Sequence, residues 1–572
     1  MTFHLKRLPL AAACLLAPSA CVTGGPPATA AVAPAASAVD VVELTVERIR
    51  SDYARGAYTA VELTRAHLDR IATYEDTYNA FVSMNPDALR IAEELDEEYA
   101  RSGPRGPLHG VPVVIKDNFD YEGLVTTAGY AGFSAATGGV DMVPGDHAAA
   151  AERLIEAGAI ILGKTNMPDF AGHGTRTRSS VAGETLNPYA LDRAPGGSSG
   201  GTATAVNASF AVLGLGTETG GSIQNPAAAQ ALVGVKPTYG LVPLEGVYPI
   251  DATYKDVAGP LARTVTDAAI ALDVIAGPTD EDLATWSAFG HVPEDGYAAA
   301  LDSTALRGKR FGLVGSGWRS SFLPLDPKTE ERYRQAIRVL EAQGAEVVED
   351  PFEGSGFREL YGDRPGVPSQ GPHDVHVYFQ GLGPDAAFHS REEWEALTGR
   401  RFGSDVREAP EPQDTAAADT AAAQEGRGGR GAGRGRGGRP RVPARPSATE
   451  EGDAFQAWRK EIRGLFRGVL EEHDLDGLFF PQGGAPIRPL VEDPERPGYN
   501  PNNHPELPSN VINDIGLPTV TVPFSFYEDG TPFVLALIGD TWTEAGLLSW
   551  AFAVEQASGA RRAPTLAVAG GR

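Results

Sequence analysis

Three strings in this 572-residue chain carry residue types that could do chemistry. The first, Gly158-x4-Gly163-Lys164-Thr165, is spelled like a phosphate-binding loop. Such a loop works through backbone N–H groups that open directly into a helix. Here the intervening Ala159-Ile160-Ile161-Leu162 is an apolar run of strand type, and Pro168 follows closely, so nucleotide binding is not expected. The second, Gly196-Gly197-Ser198-Ser199-Gly200, matches the G-x-S-x-G elbow that thrusts a serine out between a strand and a helix. The run before it, Asn187 to Pro195, reads as a loop rather than an apolar strand. A histidine partner would also be needed, and His291, His373, His376, His389, His473 and His504 stand in undistinguished settings. The third arrangement is longer. Gly196-Gly197-Ser198-Ser199-Gly200-Gly201 is followed, 24 residues after Ser198, by Ser222 within Gly216-Thr217-Glu218-Thr219-Gly220-Gly221-Ser222-Ile223-Gln224-Asn225-Pro226-Ala227. Upstream, Lys116 closes the apolar run Val111-Pro112-Val113-Val114-Ile115. Taken singly, a lysine after a strand is a surface charge and a Gly/Ser pair is a turn; order and spacing make them a set.

The elements that must position these residues alternate. Thr59 and Glu62 form a Thr-x-x-Glu capping box, and Val61, Leu68 and Ile71 fall on one helical stripe. Val111 to Ile115 reads as a strand, Asp146 to Ala157 as a helix, and Ile160 to Leu162 as a second strand. That alternation predicts an α/β layered fold. The pattern fails between about Ser404 and Glu450, where Glu408 to Glu425 is acidic and Ala-rich and Gly426 to Gly438 holds only Gly, Arg and one Ala. Such a segment buries too little apolar surface to order itself. Patterned sequence resumes at Phe455, so the segment is read as an insertion within a domain, a solvated loop rather than an RNA-binding arm.

Composition narrows the class. The chain is 42% apolar and 22% charged, which is globular, and its net charge of −26 argues against nucleic acid as a partner. Cys14 and Cys21 are the only cysteines, so the body holds no thiolate nucleophile, disulfide or Cys-based metal site. Lys6-Arg7, the apolar run Leu8 to Ala17 and the small residues Ser19-Ala20 before Cys21 form a secretory signal layout. Cys21 after Ser-Ala resembles a bacterial lipoprotein cleavage site, with Pro18 as a departure. The expectation is an exported protein, periplasmic or held at a membrane by a lipid on Cys21, with residues 1–21 as the signal and 22–40 as a flexible tether.

The two Gly/Ser loops and the strand-end lysine resemble the amidase signature family of serine hydrolases. Gly163-Lys164-Thr165-Asn166-Met167, Val233-Gly234-Val235-Lys236-Pro237-Thr238, Ala258-Gly259-Pro260-Leu261-Ala262-Arg263, Gly516-Leu517-Pro518 and Val522-Pro523 fit the same pattern. The resemblance runs from about Val41 to Gln556 and implies one large domain, 41–560, with a central mixed β-sheet covered by helices on both sides. It implies a Ser–cis-Ser–Lys triad. Ser222 would attack the amide carbonyl, Ser198 would relay a proton behind a cis peptide bond after Gly197, and Lys116 would be the base. Burial at the end of an apolar strand favours the neutral amine that such a base needs. The backbone at Thr219, Gly220 and Gly221 would form the oxyanion hole. Glu218 and Gln224 depart from the Asp and Arg common in the family, and Glu-Thr before the glycines, with Asn187-Pro188-Tyr189, is similar to bacterial peptide amidases.

The function implied is hydrolysis of a linear carboxamide, small or peptidic, to a carboxylate plus ammonia or an amine, with no metal or cofactor. Two alternatives stand beside it. The glutaminase subunit of a tRNA-dependent amidotransferase shares the family but needs a cytosolic partner and tRNA, against which the export signal and the charge both argue. An α/β-hydrolase esterase using Ser198 would be set apart by its catalytic histidine.

Overall fold

Short apolar strands, whose successive side chains face opposite layers, organise the molecule. The structure, a computed structural model, describes residues 39–318, 323–366, 371–403, 449–491 and 509–568. Among them are thirteen strands: β1 (Phe81–Met84), β2 (Pro112–Lys116), β3 (Ile160–Thr165), β4 (Arg178–Ser179), β5 (Gly183–Glu184), β6 (Leu213–Glu218), β7 (Val233–Lys236), β8 (Val257–Ala262), β9 (Arg310–Leu313), β10 (Glu346–Glu349), β11 (Gly477–Pro481), β12 (Thr519–Phe526) and β13 (Pro532–Ile538). Eleven of them form one sheet in the order β1-β3-β2-β6-β8-β7-β12-β13-β11-β9-β10, and β4 pairs with β5 as a separate ribbon. The sheet is mixed: β2 lies parallel to β3 and β6, whereas β8 is antiparallel to β6 and β7.

Helices cover both faces, and strand alternation shows why. Val113 and Ile115 of β2 belong to one apolar core, together with residues of the helices Ala149–Glu156 and Val265–Ile275. Val114 belongs to the other core, with Ala203, Ala205 and Val206 of the helix Gly200–Asn207. Side chains alternate along a strand, so Lys116 shares the face of Val114, the face on which the helix after Ser198 packs. The strand register therefore selects which loops Lys116 meets. All the described residues fall in one compact unit, Ser37–Arg572.

Element boundaries differ from the sequence expectation in ways that have local causes. The helix expected from Asp146 begins at Ala149, because Ala148 is extended (φ −60°, ψ 137°), with its N–H bonded to Asp120 O at 2.9 Å. β3 runs on through Lys164 and Thr165, paired to β2 on one side and β1 on the other. The capping box is present, with Glu62 N donating to Thr59 Oγ1 and Thr59 N to Glu62 Oε2. The fully buried stripe of that helix runs through Leu63, His67 and Ile71, with Val61 and Leu68 half-buried at its edge. The signal segment and all of the tether but Val39 and Asp40 lie outside the described residues, as does nearly all of the insertion. At its far edge Thr449 caps a helix over Glu450–Glu472, accepting from Gly452 N at 3.1 Å, and Glu450, Glu451 and Asp453 complement the first turn. Among the described residues no helix is long and apolar enough to cross a membrane.

Candidate active site

Lys116 is the last residue of β2 and is fully buried. Its Nζ lies 2.7 Å from Ser198 Oγ, 2.8 Å from Thr217 Oγ1 and 3.4 Å from Thr217 O. Asn118 Nδ2 donates to the same threonine hydroxyl at 3.0 Å, which fixes that hydroxyl against the amine. The neighbours of the lysine are thus hydroxyls and a carbonyl. Burial pulls its pKa down from the ordinary 10.5 to about 7, opposed in part by the more distant negative charges of Asp256 and Glu218.

Ser198 stands behind a cis peptide bond to Gly197 and is fully buried. A side chain at position 197 would lie 2.6 Å from His173 O and 2.8 Å from Arg176 O, so the loop closes only around glycine there. The helix Gly200–Asn207 follows at once, buried along its whole length, but no strand leads directly into the serine, the preceding one being β5 at Gly183–Glu184. The hydroxyl's partner is Lys116, not an imidazole. These are not the surroundings of a strand-to-helix elbow.

Ser222 lies in the turn between β6 and the helix Gln224–Ala229, 7% exposed. Ser199 N donates to Ser222 O at 3.2 Å, which ties the two Gly/Ser loops together beside Ser198. The turn is tight. Gly221 adopts φ +136°, and a Cβ there would sit 2.6 Å from Asn225 Nδ2; at Gly220 a Cβ would sit 2.9 Å from Asn510 Oδ1. Thr219 Oγ1 donates to Asp256 Oδ1 at 2.5 Å, and Asp256 Oδ2 accepts from Ile250 N and Asp251 N at 2.8 Å each. Burial pushes the Asp256 carboxyl up from its ordinary range.

Glu218 shapes the other side of this turn. Its Oε2 accepts from Ile223 N at 2.8 Å and Gln224 N at 3.0 Å, while Oε1 accepts from Gln224 Nε2 and, at 2.7 Å, from Asn513 Nδ2. The two residues that depart from the family's usual pattern are therefore partners. A buried carboxylate satisfied by four donors fixes the backbone around Ser222 without a cation.

The phosphate-loop string falls on β3, so its backbone is committed to the sheet. Lys164 is buried with its Nζ 3.4 Å from Asp117 Oδ1, 2.6 Å from Thr126 Oγ1 and 3.1 Å from Val125 O. Sequence reasoning missed Thr217, Asn118, Asp256 and Asn513. Thr217 and Asn118 adjoin named residues, but nothing in their spacing signals that they meet. Among the described residues no group of three or more His, Cys, Asp or Glu side chains is placed to hold a metal ion.

Comparison with known proteins bears on the family and the fold. The Amidase family profile matches residues 62–356. The chain is 30% identical over 533 residues to the A-subunit of glutamyl-tRNA(Gln) amidotransferase from Alkaliphilus metalliredigens, covering 91% of this chain and 97% of that one. It is 30% identical over 560 residues to a putative amidase of Arthroderma benhamiae, covering 92% and 83% of the two chains. The crystal structure of peptide amidase from Stenotrophomonas maltophilia superposes with a TM-score of 0.70 at 32% identity, over 92% of this chain and 99% of that one. The α/β fold with its large mixed sheet is the one those structures share, and the chain belongs to the amidase signature family, serine hydrolases that act on carbon–nitrogen bonds.

Proposed function

We propose that the protein hydrolyses the carboxamide of a small or peptidic substrate through an acyl-enzyme on Ser222, with Ser198 and Lys116 as its proton relay. One observation carries this reading. Lys116 Nζ lies 2.7 Å from Ser198 Oγ, 2.8 Å from Thr217 Oγ1 and 3.4 Å from Thr217 O, so an amine that has lost its proton can give its two hydrogens to Thr217 and turn its lone pair to the serine. Ser198 gives its proton to that amine and takes one from Ser222, whose oxygen attacks the carbonyl carbon. Charge developing on the carbonyl oxygen is met by backbone N–H groups of the Thr219–Gly220–Gly221 turn. Collapse breaks the C–N bond, and the proton held by the lysine returns through Ser198 to the leaving nitrogen. Water then repeats the attack on the ester and frees the carboxylate.

The structural likeness to peptide amidase favours a peptide amide as the substrate. The similarity to the glutamyl-tRNA(Gln) amidotransferase chain supports a second reading, in which glutamine is the amide and a partner takes the ammonia. Assaying ammonia release from peptide amides and from glutamine separates the two. A fluorophosphonate that traps activated serines, followed by peptide mass mapping, tests the relay: the adduct is expected on Ser222 and is lost in Ser222→Ala. An adduct on Ser198 would refute it. The N-terminal pattern supports export with a lipid on Cys21, and mass analysis of the mature terminus from a bacterial host tests that: a chain beginning anywhere but at acylated Cys21 refutes the anchor.

A further inference from the structure

The turn Thr219–Gly220–Gly221 offers few handles by which the fold can hold it. Gly220 and Gly221 carry no side chain, and Gly221 stands at φ +136°. Ser222 must stay free to react. Thr219 is therefore the one side chain between Glu218 and Ser222 that can anchor the turn, and glycine has the most backbone freedom to restrain.

The strand register supplies the anchor. β6 and β8 run antiparallel with Glu218 opposite Val257. One step further along both chains Thr219 stands opposite Asp256, and the threonine hydroxyl donates to Asp256 Oδ1 at 2.5 Å. The carboxylate is fixed from its other side. Its Oδ2 accepts from Ile250 N and Asp251 N at 2.8 Å each, and Asp251 O accepts from Lys255 N at 2.9 Å and Asp256 N at 3.0 Å, which closes residues 250–256 on themselves. Lys255, next to Asp256, meets Asp514 Oδ1 at 2.9 Å, and Asn513, next to Asp514, donates to Glu218 Oε1 at 2.7 Å. Residues 218–219, 255–256 and 513–514 thus form a closed ring of three side-chain contacts and three peptide links, each contact held in register by the other two.

We propose that Asp256 is a positioning residue for acyl transfer: through the Thr219 hydroxyl it holds the amides of Thr219, Gly220 and Gly221 in the orientation that receives the oxyanion. It acts through Thr219 and not on the reacting atoms. The role rests on the reading of Ser222 as nucleophile and of this turn as its oxyanion hole. Amides that are loosened lose more in the transition state than in the ground state, so the loss falls on kcat and spares KM.

The test is a double-mutant cycle of Thr219→Val and Asp256→Ala in the full chain. It is read by ammonia release from a peptide amide and by the rate at which a fluorophosphonate labels Ser222, a rate that does not depend on which amide is the substrate. Thr219→Val keeps the shape of the side chain and removes its hydroxyl. It is expected to lower kcat about ten- to a hundredfold with KM within about twofold, and to slow labelling alongside. Thr219→Ser keeps the hydroxyl and is expected to recover most of that loss. Asp256→Asn can accept from both backbone N–H groups through its amide oxygen and turn its N–H₂ to the threonine oxygen, so it is expected to retain at least about tenfold more activity than Asp256→Ala. The double variant is expected to be no slower than the slower single one, because both remove the same contact. Losses that multiply in the double variant, a change confined to KM, no recovery in Thr219→Ser and Asp256→Asn, or wild-type kcat and labelling in Thr219→Val would overturn the role of Asp256. Thr219→Val decides if Asp256→Ala fails to fold. A wild-type protein that takes no label on Ser222 would instead overturn the nucleophile reading on which the role rests.

Discussion

Replacing Lys116 with methionine separates what the lysine does for chemistry from what it costs the fold. Methionine keeps most of the apolar stem and removes the amine. Holding the folded-state pKa at about 7 when the ordinary value is 10.5 corresponds, at about 1.4 kcal/mol per pH unit, to about 5 kcal/mol of burial cost. Against this, the wild type keeps hydrogen bonds to Ser198 Oγ and Thr217 Oγ1, worth about 1 kcal/mol each. Below about pH 7 both folded and unfolded lysine are charged and the full cost applies, so Lys116→Met is more stable by about 3 kcal/mol. Between pH 7 and 10.5 the folded lysine is neutral while the unfolded one still holds its proton. Wild-type stability therefore rises with pH relative to the variant, and the two curves cross at about pH 9. For a body of roughly 500 residues, about 3 kcal/mol shifts the unfolding midpoint by about 3 °C. The assay is thermal unfolding of both proteins from about pH 6 to 10.5, with ammonia release on the same samples. A variant that is inactive, more stable at the acid end of that range and less stable at the alkaline end is expected. A stability difference that stays flat across the range would refute the assignment of a buried, neutral lysine, whatever happened to turnover.

The same geometry sets two further outcomes. Because the base must be neutral, kcat/KM should rise with pH to a plateau with a midpoint at about 7, the value to which burial brings Lys116; an ascending limb at about 4 or about 10 would exclude it as the base. Glu218→Gln puts an amide N–H₂ among four donors, those of Ile223 N, Gln224 N, Gln224 Nε2 and Asn513 Nδ2, and should cost about 2–4 kcal/mol of stability. Fluorophosphonate labelling of Ser222 should slow at least about tenfold with it, and an unchanged labelling rate would show that Glu218 does not hold the turn.

Local chemistry was legible in the sequence, whereas the tertiary chemistry was hidden. The Gly/Ser loops are written by residue type and spacing, because a tight turn demands glycine wherever a Cβ would strike backbone, as at Gly197. That Lys116 shares the face of Val114 follows from strand alternation once β2 is known. The partners that tune the site are separated from it along the chain: Asn513 reaches Glu218 across 295 positions, and Thr217 reaches Lys116 across 101. No pattern of period 2 or 3.6 records such pairs. The short strands β9 and β10 escaped for a related reason, since four residues each give little periodicity and the pairing of β9 is decided by β11, whose sequence lies far downstream.

Lysine burial itself does not single out the base. Lys116, Lys164 and Lys236 are all fully buried near the ends of strands of the same sheet. Lys164 is also pulled below its ordinary range by burial, opposed in part by the Asp117 carboxylate 3.4 Å away, and its amine is spent on Thr126 Oγ1 and Val125 O. Lys236, like Lys116, is brought down to about 7 by burial, and its Nζ donates to Leu517 O at 2.6 Å. Two lysines with the same lowered proton affinity thus have different prospects. The amine of Lys236 ends on a backbone carbonyl, which can accept a hydrogen bond but has no proton to give. The amine of Lys116 ends on Ser198, a hydroxyl that can both give and take one. What makes Lys116 the candidate base is therefore not its perturbed affinity, which burial supplies to either residue, but the loop that Gly196 and Gly197 fold against the end of β2.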